Sequence, residues 1–262
     1  MSDDLNTCSL RLDNVSHNFG ELSVLQHLDV AVNRGEFVVL VGPSGCGKTT
    51  VLNLLSGNIK PLSGTVIQKG IIRTVYQDGG LFPWLTVSEN ICMGLRSITN
   101  AMQRKQELRD LFDLIHLEEF AHHYPHQLSG GMRQRVELAR VLAGDSDILL
   151  MDEPFSSLDY QSRLQMRREL VSVLSKRPRT VVFVTHDIEE AAQLADRVLV
   201  LTNRPASICH ELRISLPHPR KHGHSDVIHA MEVILHKLGL QAPTEPDISN
   251  FDNALSGKNI HL

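Results

Sequence analysis

Three glycines, a lysine and a threonine fall within eight residues, with the types and spacing that phosphate binding needs. The stretch fits the pattern GxxxxGK[ST] and runs Gly42-Pro43-Ser44-Gly45-Cys46-Gly47-Lys48-Thr49, with Thr50 next. Glycines let the backbone wrap phosphate groups, and a helix that starts there directs N–H groups and the positive end of its dipole at them. The pattern predicts that Lys48 neutralises the β- and γ-phosphates of a nucleotide and that Thr49 offers a hydroxyl to Mg²⁺. The alternative is an incidental glycine-rich turn.

Two acidic residues follow a short apolar run, which is an unfavourable place for a carboxylate that has no partner. The run is residues 148–151, and Asp152 and Glu153 come directly after it. A Mg²⁺ ion bound by Asp152 explains the first acid. Glu153 is then the candidate general base, which positions or polarises an attacking water. Next to a phosphate loop, this pair predicts nucleotide hydrolysis.

A serine and two glycines at a predicted helix start form a second phosphate-binding arrangement. They belong to the octad Leu128-Ser129-Gly130-Gly131-Met132-Arg133-Gln134-Arg135. The octad resembles LSGGQxQR, the signature motif of ABC ATPases, with Met132 in place of the usual glutamine. In that family the motif binds ATP held by the opposite subunit, so the resemblance implies that Ser129, Gly130 and Gly131 bind a partner's nucleotide. An ordinary helix N-cap at Ser129 is the structural alternative.

Four further landmarks of the ABC family are present, and their roles are those that the resemblance implies. Gln77 matches the Q-loop glutamine, which contacts Mg²⁺ and the attacking water. Asp159, in the Ser-Leu-Asp sequence at 157–159, matches the D-loop at the dimer interface. His186 matches the switch histidine that contacts the γ-phosphate, although an isolated histidine after a strand is more often structural. Phe19 matches the aromatic residue that stacks on adenine, and burial in the core is its alternative.

Within the ABC family, the chain resembles importers of nitrate, sulfonate, taurine and related anions. The resemblance extends from residue 9 to about residue 220. Its more specific part lies in QDGGLFPWLTV at residues 77–87 and in two later segments at 201–205 and 216–220. Two departures accompany it. The stretch 57–77 is shorter than usual in the family, which trims the antiparallel lobe near the nucleotide base, and Ala206 replaces the glycine of an Arg-Pro-Gly sequence.

The elements that must position these residues follow from hydrophobic periodicity. Continuous apolar runs at 37–41, 148–151, 181–184 and 198–201 are typical of strands buried on both faces of a parallel sheet. Alternation at 10–12 and 28–32 predicts antiparallel strands, and helical spacing predicts helices within 108–115, 132–142, 164–174 and 227–238. Together with the motifs, these patterns predict an α/β fold with a parallel core sheet. The family resemblance implies a P-loop NTPase of the ABC type, with a shortened antiparallel β lobe and an inserted helical lobe at about 88–140. We expect the cassette to span 9–220 and a C-terminal helix and polar tail to span 221–262.

The bulk composition narrows the class of protein. A formal charge of −4 and a pI of about 6.4 provide no basic footprint for nucleic acid. No apolar run approaches the length of about 20 residues that a membrane helix needs, and the first ten residues do not resemble a signal peptide. The four cysteines lack a CxxC pair, which favours reduced thiols. Two groups of histidines, at 122–126 and 218–224, lack a zinc-site framework, so we expect solvated loops there.

The leading interpretation is the ATP-hydrolysing subunit of an ABC importer, with ATP and Mg²⁺ as cofactors. Two cassettes, identical or paralogous, sandwich two MgATP and drive permease subunits from the cytoplasmic face of the membrane. A solute-binding protein takes part indirectly, and the solute is a small anion such as nitrate, sulfonate, taurine or bicarbonate. We expect the patch formed by Phe82, Pro83, Trp84 and Leu85 to be partly exposed and to contact the permease, and internal packing of Trp84 in the helical lobe is the alternative.

Three alternatives remain: an exporter cassette, a soluble ABC protein and a P-loop kinase. Translation factors carry two cassettes in one chain, whereas this chain has one, and DNA-repair ATPases insert a long coiled coil before the signature. A kinase leaves the octad and His186 unexplained.

Overall fold

A six-stranded sheet forms the centre of the molecule in a computed structural model that describes residues 8–76 and 80–240. Its strand order is β5-β6-β7-β3-β8-β9, and every neighbouring pair is parallel except β8 and β9. The strands are β3 (Phe37–Val41), β5 (Ile72–Val75), β6 (Ile148–Asp152), β7 (Thr180–Val184), β8 (Arg197–Leu201) and β9 (Ile208–Arg213). The predicted α/β class with a parallel core sheet is confirmed.

The inner strands are buried on both faces, which explains their unbroken apolar sequences. Along β3, Val39 packs into the cluster on the side of the helices, and Val38 and Leu40 pack into the cluster on the opposite side. The edge strands β5 and β9 carry half-buried or alternating residues instead. A search for continuous apolar runs therefore does not find them.

A separate antiparallel sheet covers one side of the core. Its order is β2-β1-β4, formed by β1 (Cys8–Phe19), β2 (Leu22–Asn33) and β4 (Ser63–Gln68). Leu12 pairs with Val30 in register, and the buried face of this sheet packs against helix α1 (Lys48–Ser56). This sheet is the predicted antiparallel lobe.

Helices occupy the chain between β5 and β6 and alternate with the later strands. The insertion contains α2 (Val87–Gly94), α3 (Ala101–Ile115), two short 3₁₀ turns and α4 (Gly130–Leu142), followed after β6 by α5 (Tyr160–Lys176), α6 (Ile188–Leu194) and α7 (Ser225–Lys237). The boundaries of the proposed lobes stay a prediction. Within the described part of the chain, no helix has the length and apolarity to cross a membrane.

The expectation of solvated histidines does not hold for His218, which is half-buried, with Nε2 3.5 Å from Oδ1 of Asp196. Burial raises the pKa of Asp196. The hydrogen bond from His218, the N–H of Phe37 and the nearby Arg220 outweigh burial and hold that pKa below its usual value. Across residues 8–76 and 80–240, no group of three or more histidine, cysteine, aspartate or glutamate side chains is placed to hold a metal ion. The four cysteines are free.

Candidate functional site

The phosphate loop joins the end of β3 to the start of α1, as the sequence predicts. Gly45 and Gly47 have φ values of 71° and 121°, a backbone region that favours glycine. A Cβ at Gly47 would lie 2.8 Å from Cγ1 of Val24, so the loop has no room there for a larger residue. The N-cap of α1 makes no side-chain hydrogen bond. The first N–H groups of this helix are therefore available to an anion.

Lys48 lies at the start of α1 with its side chain turned back into the loop. The residue is buried, and Nζ donates hydrogen bonds to the carbonyl oxygens of Gly42 and Pro43 at 2.8 and 3.0 Å. These two oxygens hold the ammonium group at the centre of the loop. A phosphate bound by the loop would meet this charge directly.

Glu153 follows β6 at the carboxyl edge of the central sheet. Its φ of 48° is unusual for a residue with a Cβ, and such a backbone costs about 1 kcal/mol or more unless its surroundings fix it. The Glu153 N–H donates to the carbonyl oxygen of Val184 on β7 at 3.0 Å. Oε2 of Glu153 lies 3.1 Å from Nδ1 of His186. The structure thus brings together two of the three predicted catalytic residues.

Asp152 ends β6 in register with Val184 and is buried. Thr49 follows Lys48 in the first turn of α1. Gln77 lies outside the described residues, but both flanks of its segment are held by one side chain of α4. The Tyr76 and Gly80 N–H groups donate to the carboxylate of Glu137 at 3.2 and 3.0 Å. Burial raises the pKa of Glu137 above its usual value.

The signature octad lies at the start of α4 and contacts the D-loop. The Ser129 hydroxyl accepts a hydrogen bond from the Met132 N–H at 3.2 Å, so the N-cap alternative is correct as a local description. A Cβ at Gly131 would lie 3.1 Å from Leu158, and one at Gly130 would lie 3.7 Å from Ser157. The nearest atoms to these glycines therefore belong to the D-loop rather than to the phosphate loop of the same chain.

Asp159 ends the D-loop and caps α5. Its side chain accepts a hydrogen bond from the Ser162 N–H at 3.0 Å. Hydrogen bonds from Ser162 lower the pKa of Asp159. Asp159 therefore caps α5 within its own chain, independently of any contact that it makes with a second cassette.

A buried network of charges next to His186 is a feature that sequence patterns did not reveal. Arg167 of α5 is only 3% exposed, and its guanidinium lies within 3.2 Å of carboxylate oxygens of Asp187, Glu189 and Glu190. The Thr185 hydroxyl donates to Glu190 at 2.6 Å. The residues on both sides of His186 are therefore fixed. The available signal was a charged residue on the buried face of a predicted helix.

Phe19 is the last residue of β1 and is 54% exposed, with its ring edge-on to His17 at 4.8 Å between centroids. The alternative that it belongs to the core is wrong. The strand that follows, β2, carries Val24 and Leu25 past Gly47 of the phosphate loop. The exposed ring of Phe19 therefore lies at the turn of the β1–β2 hairpin, and the second strand of this hairpin borders the phosphate loop.

The segment ahead of α2 exposes aromatic surface. Trp84 is 70% exposed and its ring lies 5.6 Å from the ring of Phe82. The guanidinium of Arg140, on α4, lies 5.4 Å from the centroid of the Phe82 ring. Pro83 is exposed as well, whereas Phe82 and Leu85 are half-buried. The expected partial exposure of this patch is confirmed, and internal packing of Trp84 is excluded.

Comparison with known proteins agrees with this geometry. The model of the ABC transporter family matches residues 25–156. The aliphatic sulfonates import ATP-binding protein SsuB 1 of Rhodococcus jostii is 40% identical over 257 residues, which cover 96% of this chain and 98% of that protein. The protein of the same name from Shouchella clausii is 40% identical over 237 residues, covering 89% and 93%.

Solved structures match as well. A dimeric structure of MJ0796, a bacterial ABC transporter cassette, has a TM-score of 0.71 and 31% identity, and the match covers 79% of this chain and 100% of that chain. A post-hydrolysis state of the same cassette, bound to ADP and Pi, has a TM-score of 0.70. The chain therefore belongs to the ABC transporter family, as one of its ATP-hydrolysing cassettes.

Proposed function

We propose that this cassette is the ATP-hydrolysing subunit of an importer and works as a pair of chains that sandwich two MgATP. The observation that carries the proposal is the separation of the two anion-binding helix starts. Lys48, Glu153 and His186 lie along one edge of the central sheet, whereas Ser129 starts a helix that rests on the D-loop. Because the glycines of the octad border the D-loop, the phosphate that the octad binds comes from another chain in this proposal.

In this proposal the residues of one edge perform hydrolysis. Lys48 and the loop N–H groups bind the phosphates, and Glu153 takes a proton from the attacking water. His186, 3.1 Å from Glu153, orients that carboxylate and contacts the γ-phosphate. Phe19 offers its exposed ring to adenine.

Three predicted site residues that have no role yet in this proposal could bind Mg²⁺. The hydroxyl of Thr49, the carboxylate of Asp152 and the amide oxygen of Gln77 are the oxygen ligands that Mg²⁺ prefers. When bound, the ion neutralises charge that develops on the phosphates.

An exposed surface patch and the names of similar proteins support the proposed permease partner and the proposed solute. The patch around the exposed Trp84, with the half-buried Phe82 beside it, is the surface on which we place the permease, because exposed aromatic residues often mark a contact. The cassette then lies at the cytoplasmic face of the membrane, and a solute-binding protein delivers the solute to the permease. The solute is a small anion, with aliphatic sulfonates as the first candidate, since relatives of about 40% identity carry that name.

The test is growth on an alkanesulfonate as the only sulfur source. Deletion of the gene should abolish this growth, the intact chain should restore it, and the Glu153→Gln chain should not. Growth on sulfate is the control. Normal growth of the deletion strain on alkanesulfonates removes the sulfonate assignment, and the same assay with nitrate or taurine then tests the other anions. Failure of a permease to co-purify with the chain removes the importer assignment.

A further inference from the structure

One buried side chain connects the signature helix to the loop that carries the candidate base. Gln134 of α4 is 8% exposed. Its Nε2 donates to the carbonyl oxygen of Glu153 at 3.0 Å, and its Oε1 accepts from the N–H and the hydroxyl of Ser157 at 3.1 and 2.7 Å. Both ends of the amide are therefore bonded to the stretch between β6 and α5.

Gln134 also moves with the signature motif. It lies one turn after Gly130, within the same helix that Ser129 caps. Gly130 and Gly131 border Ser157 and Leu158, the same loop that Gln134 holds. A change in the position of the start of α4 must therefore reach the backbone after Glu153.

The backbone of Glu153 needs such support because of its φ of 48°. Its carbonyl oxygen accepts three hydrogen bonds, from Gln134 Nε2, from the Ser156 hydroxyl and from the Ser156 N–H, all at 3.0–3.1 Å. The two from Ser156 belong to the same short loop and move with it. Among the residues that the structure describes, the bond from Gln134 alone ties this carbonyl to the signature helix.

We propose that Gln134 is a positioning residue that couples the two ATP sites of the dimer. The proposal rests on the function proposed above, in which the octad of each chain binds the ATP held by its partner while Glu153 acts on the ATP of its own chain. ATP bound at Ser129 fixes the start of α4. Gln134 then holds the Glu153 backbone in its strained conformation, so filling one site prepares the base of the other.

Two variants separate the contacts. Gln134→Met has a similar length and loses the hydrogen bonds to Glu153 and Ser157, together with a longer contact from Nε2 to the Ser156 hydroxyl at 3.5 Å. Gln134→Glu keeps the acceptor for Ser157 and loses the donor to Glu153. The control is Ser156→Ala, which removes a donor to the same carbonyl and the 3.5 Å contact but leaves the bond from Gln134 to Glu153 in place. ATPase rate is measured against ATP concentration for each full-length chain. Nucleotide affinity of the single chain is measured separately by binding of a fluorescent ATP analogue.

We expect the wild-type Hill coefficient to approach the number of sites, two. Both Gln134 variants should lower it to about 1 and reduce turnover about 10-fold, the scale of a misplaced catalytic group. Their affinity for the analogue should match the wild type, and Ser156→Ala should keep the wild-type Hill coefficient. Circular dichroism checks the fold, and the isosteric Glu variant serves if the Met variant does not fold.

The outcomes distinguish this proposal from the one on which it rests. A wild-type chain that neither dimerises with ATP nor hydrolyses it removes the proposed function, and the coupling with it. Dimerisation and hydrolysis with a wild-type Hill coefficient near 1 remove the coupling alone. So do Gln134 variants that stay cooperative, or a Ser156→Ala variant as impaired in cooperativity as Gln134→Met.

Discussion

Two helices of this chain begin with glycines and a phosphate-binding sequence, yet their starts are built differently. At α1 the N-cap, Gly47, makes no side-chain hydrogen bond, and the buried Lys48 faces the loop. At α4 the hydroxyl of Ser129 already accepts a bond from its own helix, and the residue is exposed. The N-terminus of α1 can therefore bind an anion held by its own chain. At the N-terminus of α4 the serine side chain already caps the helix, and the exposed residue faces solvent, where a second chain can reach it.

The two starts also differ in what holds them in place. The loop at α1 continues directly from β3, between β7 and β8, so the backbone ladder of the sheet fixes it. The start of α4 is held to the core by side chains, among them Gln134 and Glu137. Backbone ladders tolerate little movement, whereas side-chain bonds exchange partners. We infer that α1 supplies a fixed site and that α4 is the part whose position responds to a partner.

The largest expected effect is the loss of ATP hydrolysis when Glu153, at the carboxyl edge of the central sheet, is changed. Glu153→Gln removes the base but keeps the shape of the side chain, so turnover should fall by roughly 10²-fold or more. ATP binding should persist, and an ATP-bound dimer should accumulate, measured by size-exclusion chromatography. Glu118→Gln, on an exposed 3₁₀ turn, is the control. Near-normal hydrolysis by the Glu153 variant would refute the assignment.

The second prediction tests whether the start of α4 serves another chain. Ser129→Arg places a bulky group where the partner's γ-phosphate must lie, and an overpacking cost of about 1–3 kcal/mol corresponds to a loss of about 5- to 160-fold in hydrolysis. ATP-driven dimerisation should be lost while ATP binding to the single chain remains. If this variant alone still dimerises and hydrolyses normally, the shared site is wrong.

Mixing the Ser129→Arg chain with a Lys48→Ala chain sharpens the test. In the mixed dimer one site carries both lesions and the other carries neither. Activity should therefore return in part on mixing, provided that the intact site can hydrolyse ATP while the other stays empty, although each variant alone is impaired. The coupling through Gln134 proposed above would limit the activity that returns. Two shared sites within a dimer produce this pattern, whereas two separate single-chain sites do not.

A pair of glycine substitutions tests the difference in rigidity. At Gly47 a Cβ would lie 2.8 Å from Val24 and φ is 121°, whereas at Gly131 the nearest atom is the flexible end of Leu158 at 3.1 Å. Gly47→Ala should lower the free energy of unfolding by about 2 kcal/mol, and Gly131→Ala by less than about 1 kcal/mol. Urea unfolding measures both. Equal losses would show that the two starts are equally constrained.

Sequence reasoning succeeds where one stretch of chain carries its own signal. The apolar run of β3 followed by the phosphate loop predicts a buried strand, its direction and its ligand class, because all three depend on neighbouring residues. It fails for β9, whose alternating burial is typical of an edge strand and which pairs with β8 alone among the described strands. The parallel sheet is predictable from its inner strands, and its edges are not.

The supporting side chains were missed for a related reason. Gln134 bonds to a carbonyl 19 residues away and Glu137 to an N–H 61 residues away. Hydrophobic periodicity within one stretch of sequence cannot predict contacts over such distances. His186 was found only because the family landmarks name it, whereas Glu153 was found from its place after a buried apolar run next to the phosphate loop. The signal that remains is a polar residue on the buried face of a helix, which predicts a partner but not its identity.

The smallest effect concerns the charge network that fixes the flanks of His186, and it depends on pH. Asp187 caps α6 by accepting hydrogen bonds from Glu189 and Glu190, and it also pairs with Arg163 and Arg167. Burial raises the pKa of Asp187, but Arg167, the cap and Arg163 outweigh burial and hold that pKa below its usual value. A carboxyl group with a lowered folded-state pKa stabilises the fold above its unfolded pKa of about 3.9, and this contribution is lost as pH falls through the folded value.

Asp187→Asn keeps a capping side chain and removes only the charge, since asparagine also caps helices well. It should lower the free energy of unfolding by about 1 kcal/mol at pH 7, because the half-buried pair is partly screened by solvent. The difference from wild type should shrink as pH falls below about 4 and vanish below the folded pKa. Asp159→Asn is the matched control, an exposed N-cap on α5 for which no ion pair is found in the described part of the chain, and it should change stability less. Urea unfolding between pH 7 and 3 measures both variants, and a loss at Asp187 that stays constant with pH would show that its charge does not support the fold beside His186.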